Sequence, residues 1–248
     1  MSFPDHFSLS AEGYAAYRPD YPDALFAELA RLSPATDLAW DCATGSGQAA
    51  LGLARHFDRV IASDASTAQI SHAVPHPRIK YRIASAESSG LADESVALIT
   101  VAQAIHWFDL ERFWAEAARV LRPGGVLAAW CYGAFVIEPA IDALLDTFYS
   151  ETVGPYWPPE RRMIESRYRG IAMPLEELPF PTLWMEKAMM LPTLAGYLGT
   201  WSSVQRYREA LGHDPVAPLI EALRPLWGAG EPARVARWEI GMRVGRRR

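Results

Sequence analysis

Residues 39–54 read AWDCATGSGQAALGLA, and the fold turns on how this stretch is read. A short apolar run carries an acidic residue, Asp41, near its end. Two glycines, Gly45 and Gly47, follow at once, and a helix-like segment opens behind them. Residues without a Cβ let a chain turn tightly and let a ligand come close to the backbone. The pattern is therefore that of a strand feeding a ligand-binding turn at the start of a helix. A dinucleotide fold places its glycine turn directly after the strand, so that pyrophosphate meets the helix N-terminus. A carboxylate ahead of the first glycine would sit poorly beside two phosphates and well beside a cationic group carrying an ammonium.

The chain around this stretch alternates strand and helix signals through residue 130. Strand-like runs fall at 38–42, 59–63, 79–83, 96–102 and 125–131, with helical candidates at 22–32, 46–57, 66–73 and 109–121. The last helix is the clearest. Asp109 suits the N-cap, and Leu110, Phe113, Trp114, Ala117 and Leu121 recur at helical spacing. Arg122-Pro123-Gly124-Gly125 then stops the helix and turns the chain. Such alternation predicts an α/β fold, a parallel sheet with helices on both faces.

Beyond residue 132 the texture changes to aromatics, prolines and short helical pieces. Only 182–190 and 235–244 still read as strands, which suggests an antiparallel edge on the parallel sheet. The predicted organisation is a cofactor-binding core over 1–132, a helical and aromatic cap over 133–232 carrying a strand at about 182–190, and a last strand with a basic tail over 233–248.

Half of the 248 residues are hydrophobic and 21% are charged, enough for a sizeable core. A net charge of −5 argues against nucleic acid as partner, since duplex binders carry a basic excess. Cys42 and Cys131 lie in apolar runs and read as buried thiols; without further Cys/His spacing no metal site is expected. The amino-terminal residues show no basic-then-apolar leader, and no apolar run has the length of a membrane span. The expectation is a cytoplasmic protein with no membrane partner.

At the end of the second strand stands Asp64, placed to accept hydrogen bonds from a ribose diol. The plainer alternative is an N-cap for the helix that starts near Ser66.

With these residues in view, the chain resembles the class I S-adenosylmethionine-dependent methyltransferases. Their first motif runs Asp/Glu-x-Gly-x-Gly-x-Gly. Here it is Asp41-Cys42-Ala43-Thr44-Gly45-Ser46-Gly47, with alanine at the first glycine. The likeness continues through Ile83–Glu87, Leu91–Val96 and Val120–Gly125. The segment Ala102–Asp109, Tyr14-x-x-x-Arg18-Pro19 and Thr200-Trp201-Ser202-Ser203 are similar to the branch containing trans-aconitate methyltransferase-like proteins. The resemblance implies a Rossmann-like, seven-stranded, mostly parallel sheet with an antiparallel last strand and a helical cap inserted after strand 5. It implies S-adenosylmethionine as cofactor and a small-molecule acceptor, with O- or carboxyl-methylation favoured.

It also implies roles for particular residues. Asp41, Ala43, Thr44, Gly45 and Gly47 would hold the methionine part and Asp64 the ribose. Adenine would lie between Ala65 and the Ala86–Glu87 loop, and Gln103 and Ala104 would sit beside the transferable methyl. Tyr14 and Arg18 would fold over the cofactor, with Arg18 facing a carboxylate or forming a surface ion pair. His106 would position the acceptor or act as a base. Trp107 is an aromatic wall or core packing. Trp157, Tyr168 and Trp201 are the candidate acceptor contacts. Two other functions are open to sequence alone: an NAD(P)-dependent oxidoreductase and a non-catalytic S-adenosylmethionine-binding module.

Overall fold

The structure is a computed structural model and describes residues 17–248. Its sheet runs in the order β3-β2-β1-β4-β5-β8, with β1 Ala39–Cys42, β2 Val60–Asp64, β3 Ile79–Ile83, β4 Val96–Ala102, β5 Leu121–Cys131 and β8 Arg234–Arg246. The first five strands are mutually parallel, and β8 is antiparallel to β5. Parallel pairing needs crossover helices that cover both faces, so the central strands are apolar almost throughout. In β4 every residue from Val96 to Val101 is buried, and in β5 every residue from Gly125 to Cys131. Alternate side chains feed opposite cores: Leu98, Val126, Ala128 and Trp130 on one face, Ile99, Val101, Leu127 and Ala129 on the other.

Helix α1 Asp23–Leu32 precedes β1, and the crossover helices are α2 Gln48–Leu53, α3 Thr67–Ser71 and α4 Leu110–Val120. Asp109 accepts the backbone N–H of Arg112 at the start of α4, the N-cap read from sequence. The expected turn at Arg122–Gly125 takes a different form. Leu121 already pairs with Val96, and the next paired residues are Leu98 and Val126, so the Arg-Pro-Gly-Gly segment bulges out of the ladder inside β5. Gly124 adopts φ +75°, and Arg122 is tied to Asp37 (2.9 Å) and to the Ser95 carbonyl (2.8 Å).

The late strands are antiparallel, as expected. β7 Leu183–Met189 pairs with the first half of β8, residues 234–240, while 241–246 pair with β5. A two-residue strand, β6 Glu176–Glu177, adds an eighth member to the sheet. The helices of the later chain are divided. α5 Pro139–Thr147 and α6 Arg161–Glu165 precede β7, whereas α7 Leu191–Gly199, α8 Ser202–Leu211 and α9 Val216–Trp227 lie between β7 and β8. α9 packs on α5 and α7, which joins the two groups. Aromatic rings fill the space between them: Phe135 meets Trp238 at 5.1 Å, and the Trp238 indole N–H donates to the Tyr197 hydroxyl at 3.0 Å. Among the described residues no helix is long and apolar enough to cross a membrane.

Candidate donor-binding site

The turn after β1 is built from three left-handed residues, Ala43 (φ +54°), Gly45 (φ +57°) and Gly47 (φ +89°). Gly47 is required twice over, because a Cβ there would lie 2.4 Å from the Tyr81 hydroxyl as well as facing an unfavourable φ. A Cβ at Gly45 would project toward Gln69 on the wall of a cavity. Ala43 adopts the conformation that glycine would take at the same place, so the turn keeps its path despite the departure from the motif. Thr44 N–H donates to the Ser63 carbonyl and Gly45 N–H to Asp64 Oδ2 (both 2.9 Å), which locks the turn to the end of β2.

A cavity of about 530 Å³ opens above this turn, at the carboxyl ends of β1, β2 and β4. This is where an open α/β sheet binds its ligand, and the volume lies in the range of small-molecule pockets. Ala43, Thr44 and Gly45 form its floor. Asp64 and Ala65 stand at one side, Ala86 and Glu87 close the next, and Gln103, Ala104 and Trp107 close the far end, with Arg18 also on the wall. Asp64 Oδ1 also accepts the Ser66 N–H at 2.8 Å, while Ser66 itself caps α3 through Gln69 N–H. Asp64 is thus not the N-cap, and its carboxylate faces the cavity.

Gln103 holds φ +56°, an uncommon conformation for a residue with a side chain. Its N–H donates to the Trp130 carbonyl (2.8 Å) and its side-chain amide to the Tyr132 carbonyl (3.0 Å), so two bonds to β5 and its extension maintain the strain. Arg18 donates to the Tyr132 hydroxyl at 2.8 Å. Glu87 accepts the Asp109 N–H (3.2 Å), which ties the cavity wall to the start of α4.

Several residues singled out in the sequence lie elsewhere. Asp41 is fully buried under the turn, with Oδ2 accepting from Thr44 Oγ1 at 2.5 Å and Oδ1 from Thr100 Oγ1 at 2.8 Å. It does not line the cavity. Burial raises its pKa to about 6, opposed by the two hydroxyl hydrogen bonds. His106 is buried behind Trp107, with ring centroids 4.8 Å apart, and Nδ1 is 2.9 Å from the Tyr168 hydroxyl. Burial, and then the charge of Arg161, lower its pKa to about 4, so it is neutral at pH 7. Tyr168 is 1% exposed. Trp157 and Trp201 pack on each other at 5.5 Å in the aromatic cap, outside the cavity wall. Tyr14 falls outside the described residues.

Other wall residues were not read from sequence. Tyr21 lines the cavity and meets Trp130 edge-on at 5.5 Å; it follows Arg18-Pro19 closely, which was the available signal. Gln69 and His72 also face the cavity from α3 and the residue after it, three apart as one helix face requires. Thr100 carries no local signal, because its role depends on the register between β1 and β4 that pairs it with Asp41.

Comparison with known proteins agrees with this geometry. The methyltransferase domain model matches residues 40–129, from β1 through most of β5. A Dictyostelium discoideum protein, whose name marks it as a provisional methyltransferase, is 36% identical over 89% of this chain and 86% of its own length. A solved structure from Anaeromyxobacter dehalogenans, described as a provisionally assigned type II methyltransferase, is 48% identical. It covers 92% of this chain and 97% of its own, with a TM-score of 0.89. At the level of fold alone, a Haemonchus contortus N-methyltransferase solved with phosphomonomethylethanolamine and S-adenosylhomocysteine has a TM-score of 0.51 and 15% identity. That match spans all of this chain and 61% of that one. Turn, cavity and relatives agree: the chain belongs to the class I S-adenosylmethionine-dependent methyltransferases.

Proposed function

We propose that the enzyme methylates an oxygen, hydroxyl or carboxylate, of a small-molecule acceptor that enters beneath the aromatic cap. The observation that carries this reading is the far end of the cavity. Gln103, Ala104, Trp107 and Tyr21 surround it, with Arg18 beside them, at the side where the cap residues of 133–232 follow β5. Bound in the cavity, S-adenosylmethionine supplies an activated methyl on a sulfonium. The protein's part is to align the two reactants and keep water out. In this reading Asp64 accepts from the ribose hydroxyls, Ala65 and the Ala86–Glu87 loop enclose the adenine, and Arg18 faces the methionine carboxylate. Asp41 acts at one remove, holding Thr44 and hence the turn. His106 acts in the same way, fixing Trp107 from behind while neutral.

Calorimetry with S-adenosylhomocysteine tests the donor half. Wild-type protein should bind it, and Asp64→Asn should bind at least about tenfold more weakly, the loss of charge-assisted bonds to two hydroxyls. Equal binding by a folded Asp64→Asn protein would remove Asp64 from the ribose site. Mass spectrometry of products from a panel of hydroxy and carboxylic acids tests the acceptor half. Products methylated only on nitrogen or carbon would overturn the oxygen assignment.

A further inference from the structure

One arginine, Arg161, lies outside the cavity wall, beyond Gln103 and Trp107, and among the described residues only Nε of its guanidinium makes a hydrogen bond. Gln103, on the cavity wall, donates to the Tyr132 carbonyl, and the next residue, Gly133, is so near Arg161 that a Cβ built on it would be 3.6 Å from Nη2. From the other side Trp107 leads through His106 to the same place, where the Arg161 charge contributes to keeping His106 neutral. Arg161 is half-buried at the start of α6. Its guanidinium lies over Trp157 at 4.4 Å and over Tyr149 at 5.3 Å, and Nε donates to the Tyr149 hydroxyl at 2.8 Å. That hydroxyl donates in turn to Glu165 at 2.8 Å, so the nearby carboxylate is engaged by the tyrosine. Among the described residues no carboxylate pairs with Arg161, and its two terminal nitrogens make no hydrogen bond.

A guanidinium fixed on two rings, with a parallel pair of N–H groups free, matches a planar carboxylate bidentately. Holding it on the rings in advance lowers the entropy lost when an anion binds. The rings of Trp157 and Trp201 beside it suit a flat or apolar body attached to that anion. We propose that Arg161 is the acceptor-recognition residue and selects acceptors that carry a carboxylate away from the reacting atom. The inference rests on the reading of the site as one for a small-molecule acceptor. A cation that merely staples the cap would show the same ring contacts but no preference among ligands.

The test uses full-length protein saturated with S-adenosylhomocysteine. Ligand-observed NMR titration compares 4-hydroxybenzoate, its neutral analogue 4-hydroxybenzamide, and phenyl phosphate. Wild type should bind the carboxylate at least about tenfold more tightly than the amide, Arg161→Gln should lose that preference, and Arg161→Lys should keep part of it. S-adenosylhomocysteine affinity should be the same in all three proteins. Failure of wild type to bind S-adenosylhomocysteine would strike at the donor site itself and is separate from this inference. Normal S-adenosylhomocysteine binding without a preference for carboxylate over amide would overturn the inference. So would a preference that survives in Arg161→Gln, or tighter binding of phenyl phosphate than of the carboxylate.

Discussion

At the scale of single residues, the donor turn depends on two positions that differ in kind. Gly47 sits at φ +89° with the Tyr81 ring where a Cβ would go, so Gly47→Ala must strain the backbone and displace the ring together. We expect it to lower the unfolding free energy by about 2–4 kcal/mol and to weaken S-adenosylhomocysteine binding. Ala43 is the reverse case. It already pays for its left-handed conformation, so Ala43→Gly should relieve about 1 kcal/mol of strain, partly offset by the freer unfolded chain, and leave stability within about 1 kcal/mol of wild type. Urea unfolding of both variants checks the pair; an Ala43→Gly loss as large as that of Gly47→Ala would contradict the strain argument. The two glycines and Asp64 were legible because glycine spacing and strand ends leave a local trace. The burial of Asp41 was not, because it depends on Thr100, fifty-nine residues away in sequence.

At the scale of elements, the cavity wall opposite the turn is a loop that α4 holds from behind. Glu116, 8% exposed in the middle of α4, accepts from Ser89 N–H at 2.8 Å and Ser89 Oγ at 2.5 Å. It also pairs with Arg119 at 2.7 Å, and Arg119 reaches on to the Leu91 carbonyl and Asp93. The Arg119 and Ser89 hydrogen bonds hold the Glu116 carboxyl well below its usual range, at about 2. Glu116→Ala would strand a buried N–H and hydroxyl and free the loop that carries Ala86 and Glu87. We expect a loss of about 2–4 kcal/mol in stability and faster amide exchange concentrated in residues 86–93. Uniform exchange along the chain would mean that Glu116 supports the helix rather than the loop. No sequence pattern marks this residue, since an acidic side chain on an amphipathic helix reads as solvent-facing. The central strands of the parallel sheet were legible for the opposite reason: β4 and the second half of β5 are short apolar runs, while the edge strand β3 alternates apolar and charged residues. The cap was legible only as a change of texture, because its rings meet across long stretches of chain, as Phe135 with Tyr197 and Trp157 with Trp201 do.

At the scale of the whole molecule, two buried groups pull stability in opposite directions with pH. His106 has its pKa lowered from 6.5 to about 4, so between those values the unfolded chain takes up a proton that the native protein refuses. Its contribution is fully present above pH 6.5 and is lost as pH falls toward 4. Asp41 has its pKa raised from 3.8 to about 6, so in that window the native protein binds a proton that the unfolded chain has released. Its effect is to favour the native state as pH falls from 6 toward 3.8. Each shift corresponds to roughly 3 kcal/mol. The two windows overlap from about pH 4 to 6, where the slopes cancel, and the window of Glu116 lies below pH 4.5. Wild-type stability should therefore change little between pH 4.5 and 6. His106→Gln should expose the Asp41 slope and become more stable on acidification across that interval. Asp41→Asn should expose the His106 slope and become less stable. Urea unfolding of the three proteins at pH 4.5 and 6 measures all of this at once. Parallel pH profiles in the three would show that these two groups do not set the slope, whereas opposite slopes in the two variants would identify a charge under the donor turn and a neutral imidazole behind the cavity wall as a balanced pair.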